Sequence, residues 1–512
     1  MGTAVSGEKS NVLEALIVAQ ASSHATSPFL LDAHSPRVVS YAELDATLHD
    51  RQQQLTSFGF EPGSRVGLLL NNPIEFSLWF LTGLASGVWV APLDPTITTV
   101  NLFQVFERAR ALEVTAILTD RDAPLDSSLL WLNVERHDTS SIIVTIHATA
   151  SDPGGGVLLS SSGTTGTPKI MALSLEQLLT NASLIARHNQ LDVDDRGFNP
   201  LPLWHVNAEV VGLLATLCAG ASLVLDDRFH RTGFWKLIHD FEVTWINAVP
   251  AIISHLSTLN DGEIVPTSVR FLRSASSPLA PSLLESFEAL TEIPIIQSYG
   301  MTEAASQICV NPLEGVRKVG SVGVAVGAEV RVVALDEATL AKVGDVGDIE
   351  IKGPTVIRAY ESAAYADRFD IDGWLRTGDL GYLDEDGYLF IVGRTDDVIN
   401  RGGEKIYPLE IENVLASIEG VAAIAVIGEA DDVFGQVPVA YVQPVDSAML
   451  DSAVLATEFV QRVREIAVAS FSKAHRPAKI KLVSALPAHA NGKIRRGLLR
   501  EGEVNVAFEE RL

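Results

Sequence analysis

The chain has 512 residues, of which 47% are hydrophobic and 20% are charged. This mix is typical of a folded globular protein, and the length predicts more than one domain. With 64 acidic and 38 basic residues the formal net charge is −26, which disfavours nucleic acid or an anionic membrane as a partner. A small anionic ligand stays compatible, because a few basic and backbone N–H groups can hold a phosphate locally.

The two cysteines, Cys218 and Cys309, predict neither a disulfide framework nor a cysteine-based zinc site. The N-terminal segment lacks the basic and apolar regions of a secretory signal. The longest apolar stretches, residues 66–93 and 210–225, are interrupted by polar residues or are too short to cross a bilayer. These features predict a cytoplasmic protein without membrane insertion.

Apolar residues in the first 150 positions alternate between helical and strand spacing, and the alternation returns from residue 157 to 300. Strands that alternate with helices are typical of a parallel α/β sheet. The predicted helices cover residues 41–58 and 74–85, and the predicted strands cover residues 66–70, 88–92, 222–225, 244–247, 269–273 and 295–297.

The pattern changes between residues 320 and 395. Short strands at 329–334, 348–353 and 388–392 are separated by Gly, Asp and Pro turns, which predicts a small antiparallel or β-barrel-like subdomain. From residue 396 the alternation of helices and strands returns on a smaller scale. We therefore predict an α/β fold with a large N-terminal domain at residues 1–395 and a small domain at 396–512.

A loop at residues 158–170 (LLSSSGTTGTPKI) follows an apolar strand and combines glycines, hydroxyl groups and a lysine. Glycine lets backbone N–H groups turn inward, and hydroxyl and ammonium groups add donors, so the loop suits a polyphosphate. It lacks the Gly-Lys-Ser/Thr order of a Walker loop. The candidate phosphate-binding residues are Ser161, Ser162, Gly163, Thr164, Thr165, Gly166 and Lys169.

Four further segments carry polar residues beside strands or glycine turns: QSYGMTE at 297–303, WLRTGDL at 374–380, GRTDDVINRGGEKIYPLEIE at 393–412 and PAHANGKIRR at 487–496. In this order, the five segments resemble those of the adenylate-forming superfamily. It includes acyl-CoA synthetases, luciferases and the adenylation domains of nonribosomal peptide synthetases. The resemblance covers nearly the whole chain. It implies a large AMP-binding domain of stacked α/β sheets and a mobile C-terminal domain.

The resemblance also implies how ATP is held. Tyr299 stacks on adenine, and Thr302 bonds the α-phosphate. Glu303 holds Mg²⁺, which neutralises phosphate charge as pyrophosphate leaves. Asp379 accepts hydrogen bonds from both ribose hydroxyls, and Arg394 makes a second contact to ribose or phosphate.

In relatives the C-terminal domain turns between two steps of the reaction, and Asp396 matches the hinge. Lys493 matches the catalytic lysine that stabilises negative charge while the carboxylate attacks the α-phosphate. Gly402 and Gly403 match the loop that lines the pantetheine tunnel during the second step. Three nearby arginines are interpreted as a solvated face: Arg495, Arg496 and Arg500.

Residues 202–211 (PLWHVNAEVV) match the segment that lines the acyl pocket in relatives, where His205 resembles a gating residue. The pocket segments resemble the oxalate–CoA ligase branch most. This chain has Asn207-Ala208 where those enzymes tend to carry His-Gly, which leaves the exact acid open. Ala275 and Ser276 replace two glycines of many relatives and narrow the pocket, which favours a small or polar acid. The candidate pocket residues are Trp204, Asn207, Ala248, Ala275 and Ser276.

The resemblance predicts an acid–CoA ligase that uses ATP, Mg²⁺ and coenzyme A, with a small-molecule carboxylic acid as substrate. The alternative is a stand-alone adenylating enzyme that loads an aryl or small acid onto a carrier protein. Luciferase-like oxygenation and a non-enzymatic nucleotide-binding protein are further alternatives. The set of Lys169, Glu303, Asp379 and Lys493 disfavours the last one, because nucleotide binding alone has no need of a mobile catalytic lysine.

Overall fold

The computed structural model describes residues 11–96, 102–120, 130–133, 154–161, 169–335, 339–488 and 493–511. The phosphate-loop prediction falls largely outside these ranges. The predicted residues outside the described part of the chain are Ser162, Gly163, Thr164, Thr165 and Gly166.

The first part of the chain alternates strands and helices, as predicted. Its strands are β1 Pro28–Asp32, β2 Val38–Ser40, β3 Arg65–Leu69, β4 Trp89–Pro92, β5 Ala116–Thr119, β6 Leu130–Asn133, β7 Gly156–Ser161, β8 Lys169–Ser174, β9 Arg196–Asn199, β10 Ser222–Leu225, β11 Trp245–Ala248, β12 Phe271–Ser274, β13 Ile295–Met301, β14 Ser306–Val310 and β15 Val324–Ala325. Its helices are α1 Val12–His24, α2 Tyr41–Ser57, α3 Pro73–Ala85, α4 Leu102–Ala111, α5 Leu175–His188, α6 Ala215–Ala219, α7 Phe234–Asp240, α8 Pro250–Leu256 and α9 Pro281–Thr291.

These strands form two large sheets. A nine-stranded sheet has the order β15-β14-β13-β12-β11-β9-β10-β1-β2, and a six-stranded sheet has the order β6-β5-β3-β4-β7-β8. The strands from β13 to β1 in the first order pair in parallel. Their carboxyl ends therefore meet at one edge, where ligands of such sheets commonly bind.

Helix α3 is buried on almost every face. The Asn72 side chain accepts hydrogen bonds from the backbone N–H groups of Ile74 and Glu75, and Pro73 occupies the first turn. From Phe76 to Ala85 every residue is buried. A helix that is apolar on all sides belongs in the interior of a large protein. No helix in the described ranges is both long and apolar enough to cross a membrane.

The segment predicted to be barrel-like contains β16 Glu329–Ala334, β17 Gly347–Lys352, β18 Leu375–Leu383 and β19 Leu389–Arg394. They form an antiparallel four-stranded sheet in the order β16-β17-β18-β19, with no closed barrel among the described strands. The antiparallel prediction is confirmed, and the barrel-like one is corrected to an open sheet. Closure depends on pairing between the first and last strands, which local sequence patterns do not encode.

The remaining residues form a smaller α/β unit. Its elements are β20 Ile399–Arg401, β21 Glu404–Ile406, α10 Pro408–Leu415, β22 Val421–Asp431, β23 Gly435–Pro444, α11 Ala448–Asp451, α12 Ala453–Ser470, β24 Lys479–Val483, α13 Arg496–Arg500 and β25 Val506–Arg511. Its main hydrophobic cluster lies within residues 399–482 and is separate from the large cluster, which runs from Leu13 to Leu389. The two parts of the chain therefore have cores of their own.

Candidate active site

Tyr299 and Asp379 meet at the junction of two sheets. Tyr299 lies on β13, and its hydroxyl donates a hydrogen bond to Oδ2 of Asp379 on β18 at 2.5 Å. Arg394 is opposite Asp379 on β19, with its Nε 3.6 Å from Oδ1 of Asp379. Burial, together with the Asp379 charge, raises the pKa of Tyr299 well above its ordinary value. The structure thus joins three predicted nucleotide contacts that are up to 95 residues apart.

Thr302 and Glu303 follow β13 in a short 3₁₀ turn, Thr302–Ala304. Glu303 is buried, and its Oε1 accepts a hydrogen bond from the Tyr360 hydroxyl at 2.8 Å. Gly300, just before this turn, packs so closely that a Cβ there would lie 1.7 Å from the carbonyl oxygen of Ser306. Carboxylate oxygen is a ligand that Mg²⁺ prefers, so the chemistry of Glu303 fits the predicted metal.

Several cationic side chains lie close to Glu303 and Asp379. Lys169, at the start of β8, lies with its ammonium 5.2 Å from the ring centroid of Tyr365. A Cβ on Gly378 would lie 3.0 Å from Nη2 of Arg368 and 3.5 Å from Nη2 of Arg394, so both guanidinium groups flank the backbone beside Asp379. Partial burial and repulsion from Arg368 lower the pKa of Lys169, partly offset by Glu303.

Arg368 is a residue that the sequence analysis missed. Its Nη2 donates a hydrogen bond to the carbonyl oxygen of Thr377 at 3.0 Å, while its buried Nε has no hydrogen-bond partner among the described residues. An unsatisfied buried guanidinium donor is costly unless a ligand supplies an acceptor. No motif contains Arg368, because its position beside Gly378 depends on how the loop before β18 folds back.

Lys493 extends this positive cluster from the C-terminal part of the chain. More than a third of the surface of Lys493 is exposed. Partial burial of its ammonium group by the surrounding protein nevertheless lowers its pKa. Repulsion from Arg394 lowers the pKa further, and attraction to Asp379 and Asp397 partly offsets this effect. The predicted catalytic lysine therefore lies near the predicted ribose contacts.

The residues on either side of the predicted hinge, Asp396, contact different parts of the chain. Before it, the Thr395 hydroxyl donates to Oδ1 of Asp348 on β17 at 3.3 Å. After it, Asp397 pairs with Arg500 and lies 3.5 Å from Nε of Arg496. Asp396 itself is exposed, between a residue bound to the four-stranded sheet and one bound to α13.

Arg496 corrects one interpretation from the sequence. Instead of belonging to a solvated face, its side chain is 19% exposed, and its Nη2 donates to both carboxylate oxygens of Glu412 at 2.7 Å. Arg500 is half-exposed but paired with Asp397. Both arginines therefore tie the helix that follows Lys493 to the C-terminal unit.

Gly402 and Gly403 form the two-residue turn between β20 and β21. Their φ angles of 60° and 97° favour glycine, and both residues are exposed. The Gly402 N–H donates to the Phe434 carbonyl at 2.8 Å, and the Gly403 N–H donates to the Asn400 side chain at 3.0 Å. These partners both lie in the C-terminal unit.

The predicted acyl segment lies after β9, at the carboxyl edge of the nine-stranded sheet. Nδ2 of Asn247 donates to Oδ1 of Asn207 at 2.8 Å and to Oδ1 of Asn199 at 2.9 Å. Ala248 follows Asn247 and is fully buried. Three asparagine amides therefore connect the ends of β9 and β11 to the loop that carries His205.

The other predicted pocket residues lie on the flanks of this amide cluster. The half-buried ring of His205 has its centroid 6.2 Å from that of Trp204. Ala275 and Ser276 directly follow β12, where Ala275 is buried and Ser276 is exposed. Ser276 has a φ of 74°, a conformation in which serine is strained and glycine is not.

Glu209 is a second residue to which the sequence analysis gave no role. It lies in a π-helix, Ala208–Leu214, with no exposed surface, and neither carboxylate oxygen has a hydrogen-bond partner in the described structure. Burial raises its pKa well above the ordinary value, and the charge of Arg108 on α4 opposes this shift. A lone acid within an apolar run was the available signal, and π-helices are frequent at functional sites.

The fold and the site together define an adenylate-forming enzyme. Its catalytic lysine is predicted to be mobile. The family model of AMP-binding enzymes matches residues 17–361, and the model of the AMP-binding enzyme C-terminal domain matches residues 410–493. The chain therefore belongs to the AMP-binding enzyme family.

Known relatives support the same assignment over most of the chain. A sulfoacetate–CoA ligase from Cupriavidus necator is 32% identical over 502 residues, covering 95% of this chain and 97% of the relative. An oxalate–CoA ligase from Arabidopsis thaliana is 31% identical over 496 residues, covering 89% and 92%. The structure of O-succinylbenzoate coenzyme A synthetase from Bacillus subtilis with ATP and magnesium ion is 27% identical, with a TM-score of 0.79 and coverage of 94% and 98%. The predicted resemblance to acid–CoA ligases is confirmed.

Proposed function

We propose that this enzyme activates a small, polar carboxylic acid with ATP and transfers the acyl group to coenzyme A. The enzyme is an AMP-forming acid–CoA ligase whose cofactors are ATP, Mg²⁺ and coenzyme A. The convergence of Lys169, Arg368, Arg394 and Lys493 beside Asp379 is the observation that carries the proposal. Cations so close together repel one another. A bound triphosphate would attract all four cations and so offset their mutual repulsion.

In the first step, the substrate carboxylate attacks the α-phosphate, giving acyl-AMP and pyrophosphate. We assign Asp379 and Arg394 to the ribose, and Lys169 and Arg368 to the departing phosphates. Glu303 would hold Mg²⁺, which neutralises phosphate charge. Lys493 stabilises the charge that builds on the reacting oxygens, because a preformed cation needs little reorganisation during the reaction.

In the second step, the C-terminal unit turns about Asp396, and the thiol of coenzyme A attacks the acyl carbon to release AMP. The pairing of Asp397 with Arg500, and of Arg496 with Glu412, supports a turn of the whole unit as one body. Lys493 is expected to leave the site in this turn. The Gly402–Gly403 turn, exposed in the present arrangement, is expected to enter it.

The acid is proposed to be small and polar because of the groups near the acyl segment. The amides of Asn199, Asn207 and Asn247 form a polar cluster beside the acyl segment. Oδ1 of Asn247 is buried without a hydrogen-bond partner among the described residues, and an apolar acyl chain would leave it unpaired. Ala275 and Ser276 add side-chain atoms where glycine would leave space. The relatives named for sulfoacetate and oxalate, both acids with a second anionic group, favour the same class.

Pyrophosphate release and acyl-CoA formation, measured with MgATP across a panel of acids, test this proposal. The panel runs from oxalate, sulfoacetate and other small diacids through short fatty acids to benzoates, with and without coenzyme A. Repeated turnover that requires one small polar acid and coenzyme A is the expected result. Turnover with only long or aryl acids would overturn the substrate class. Release that stops after about one turnover despite coenzyme A would instead favour a carrier-protein acceptor.

A further inference from the structure

A cluster of histidine and aspartate side chains to which the proposed reaction gives no role lies at the carboxyl ends of β1 and β10. These strands pair in parallel, with Asp32 opposite Leu225. The loop after β10 carries Asp226, Asp227 and His230, and the loop after β1 carries His34. The N–H of Ala33 donates to the carbonyl of Leu225 at 3.0 Å, which keeps the two loops side by side.

Four potential ligand atoms of these residues lie within 4.8 Å of one another. Nε2 of His34 is 2.9 Å from Oδ1 of Asp226, and Nε2 of His230 is 3.7 Å from the same oxygen. Nε2 of His230 is also 3.3 Å from Oδ1 of Asp227. Bonds of about 2.0–2.1 Å in a tetrahedral zinc site separate the ligand atoms by about 3.3 Å, so these spacings suit one central ion.

One carboxylate of the cluster is buried. The Asp226 side chain is only 1% exposed, and its ion-pair partners in the described structure are the two histidines. A buried carboxylate is costly unless it is paired or coordinates a metal ion.

Local contacts also hold both loops in place. Oδ1 of Asp32 accepts hydrogen bonds from the backbone N–H groups of His34 and Ser35, each at 2.8 Å. Arg231, next to His230, forms a bidentate ion pair with Glu263, with N–O distances of 2.6 and 2.7 Å. The histidines therefore project from anchored loops, so little conformational entropy would be lost on binding an ion.

We propose that His34, Asp226, Asp227 and His230 bind a divalent transition-metal ion of the zinc type that clips the loop after β1 to the loop after β10. Two imidazole nitrogens and two carboxylate oxygens suit Zn²⁺, whereas Mg²⁺ prefers six oxygen ligands. Four protein ligands leave no open position, which is typical of a structural site. The role is therefore stabilisation of the sheet edge and is independent of the proposed ligase reaction.

Metal content and spectroscopy of the full-length enzyme test the site. The enzyme is stripped with a chelator, and Zn²⁺ or Co²⁺ is added back in the presence of excess Mg²⁺. We expect one tightly bound zinc per chain, an intense visible spectrum of tetrahedral Co²⁺, and an unfolding temperature raised by a few degrees. Zinc at about 100 times its dissociation constant should favour the folded state roughly 100-fold.

The His34→Ala and His230→Ala variants identify the ligands, and His239→Ala is the matched control because His239 is another exposed histidine beside an aspartate, 3.5 Å from Asp240. The first two variants should lose the cobalt spectrum and the thermal shift, and the control should keep both. Unchanged pyrophosphate release at low temperature would show that the variants are folded. The proposal is overturned if the wild-type enzyme takes up no zinc, or if all three variants bind it equally.

Discussion

Lys493 carries its charge in surroundings that lower its pKa, and it is the residue to which we assign stabilisation of the adenylation transition state. We expect Lys493→Ala to slow acyl-AMP formation by roughly 10²- to 10³-fold, the usual loss when one preorganised charge is removed. Thioester formation from preformed acyl-AMP should change little, and single-turnover measurements separate the two steps. Lys473→Ala, at an exposed lysine of the same unit, is the control. Equal loss in both steps would contradict the assignment.

Lys169 and Lys493 should also shape the pH dependence of catalysis. Burial and nearby arginines lower the pKa of each ammonium group, so each loses its proton at a lower pH than an ordinary lysine does. Adenylation is therefore expected to be full below the lowered pKa values and to fall as the pH rises through them. Pyrophosphate release measured from neutral to alkaline pH checks this, with recovery at neutral pH as the control for unfolding. In Lys493→Arg the alkaline fall should begin at higher pH, and an identical profile would contradict the idea.

Glu209 makes stability depend on pH in the opposite sense from a carboxylate that gains an ion pair on folding. Its folded pKa lies above its unfolded value, so the folded state holds the proton more tightly and stability falls as the pH rises between the two values. Glu209→Gln removes this penalty, and we expect a higher unfolding temperature than the wild type at neutral pH. The difference should shrink below about pH 4, where the unfolded carboxyl is also protonated. Glu285→Gln, at an exposed glutamate, should show no such difference. A destabilised Glu209→Gln at neutral pH would instead indicate a charged pair with Arg108.

At the scale of elements, the 3₁₀ turn at Thr395–Asp397 joins two units with separate cores. Proline fixes φ near −65°, so Asp396→Pro is expected to hinder the turn between the two steps. We expect acyl-AMP formation to be largely kept and thioester formation to slow about 10-fold or more. Asp396→Ala keeps backbone freedom and is the matched control. Equal rates for both variants in the thioester step would rule out the hinge assignment.

The bounds of the helices and strands show how much of each element a local sequence pattern predicts. The strand predicted at 222–225 has exactly the bounds of β10, and the predicted helix at 41–58 extends only one residue beyond α2. The predicted strand at 295–297 was too short, because β13 continues to Met301. Its last residues are held by antiparallel pairing with β14, including Tyr299 opposite Cys309. Such pairing depends on a second strand and leaves no periodic pattern in the first.

At the scale of the whole molecule, the net charge of −26 is a source of self-repulsion in the compact state. Salt screens charges that are exposed and more than about 10 Å apart at 0.1 M ionic strength. We therefore expect moderate NaCl to raise the unfolding temperature of the ligand-free enzyme, and KCl to act equally. A matched increase in glycerol controls for general solvent effects. A fall in unfolding temperature with added salt would show that local ion pairs outweigh the overall repulsion.

The sequence by itself determined the family, the cofactors and the α/β class of this protein. It could do so because each motif is a contiguous run whose residue types and spacing carry their chemistry. Only the tertiary structure decided which distant residues share the site: it joins Tyr299 to Asp379, brings Arg368 beside Arg394, leaves the four-stranded sheet open, and buries Glu209. These features depend on strand pairing and packing between segments tens or hundreds of residues apart. No local pattern records such distances, because the same short segment can pack against many different partners.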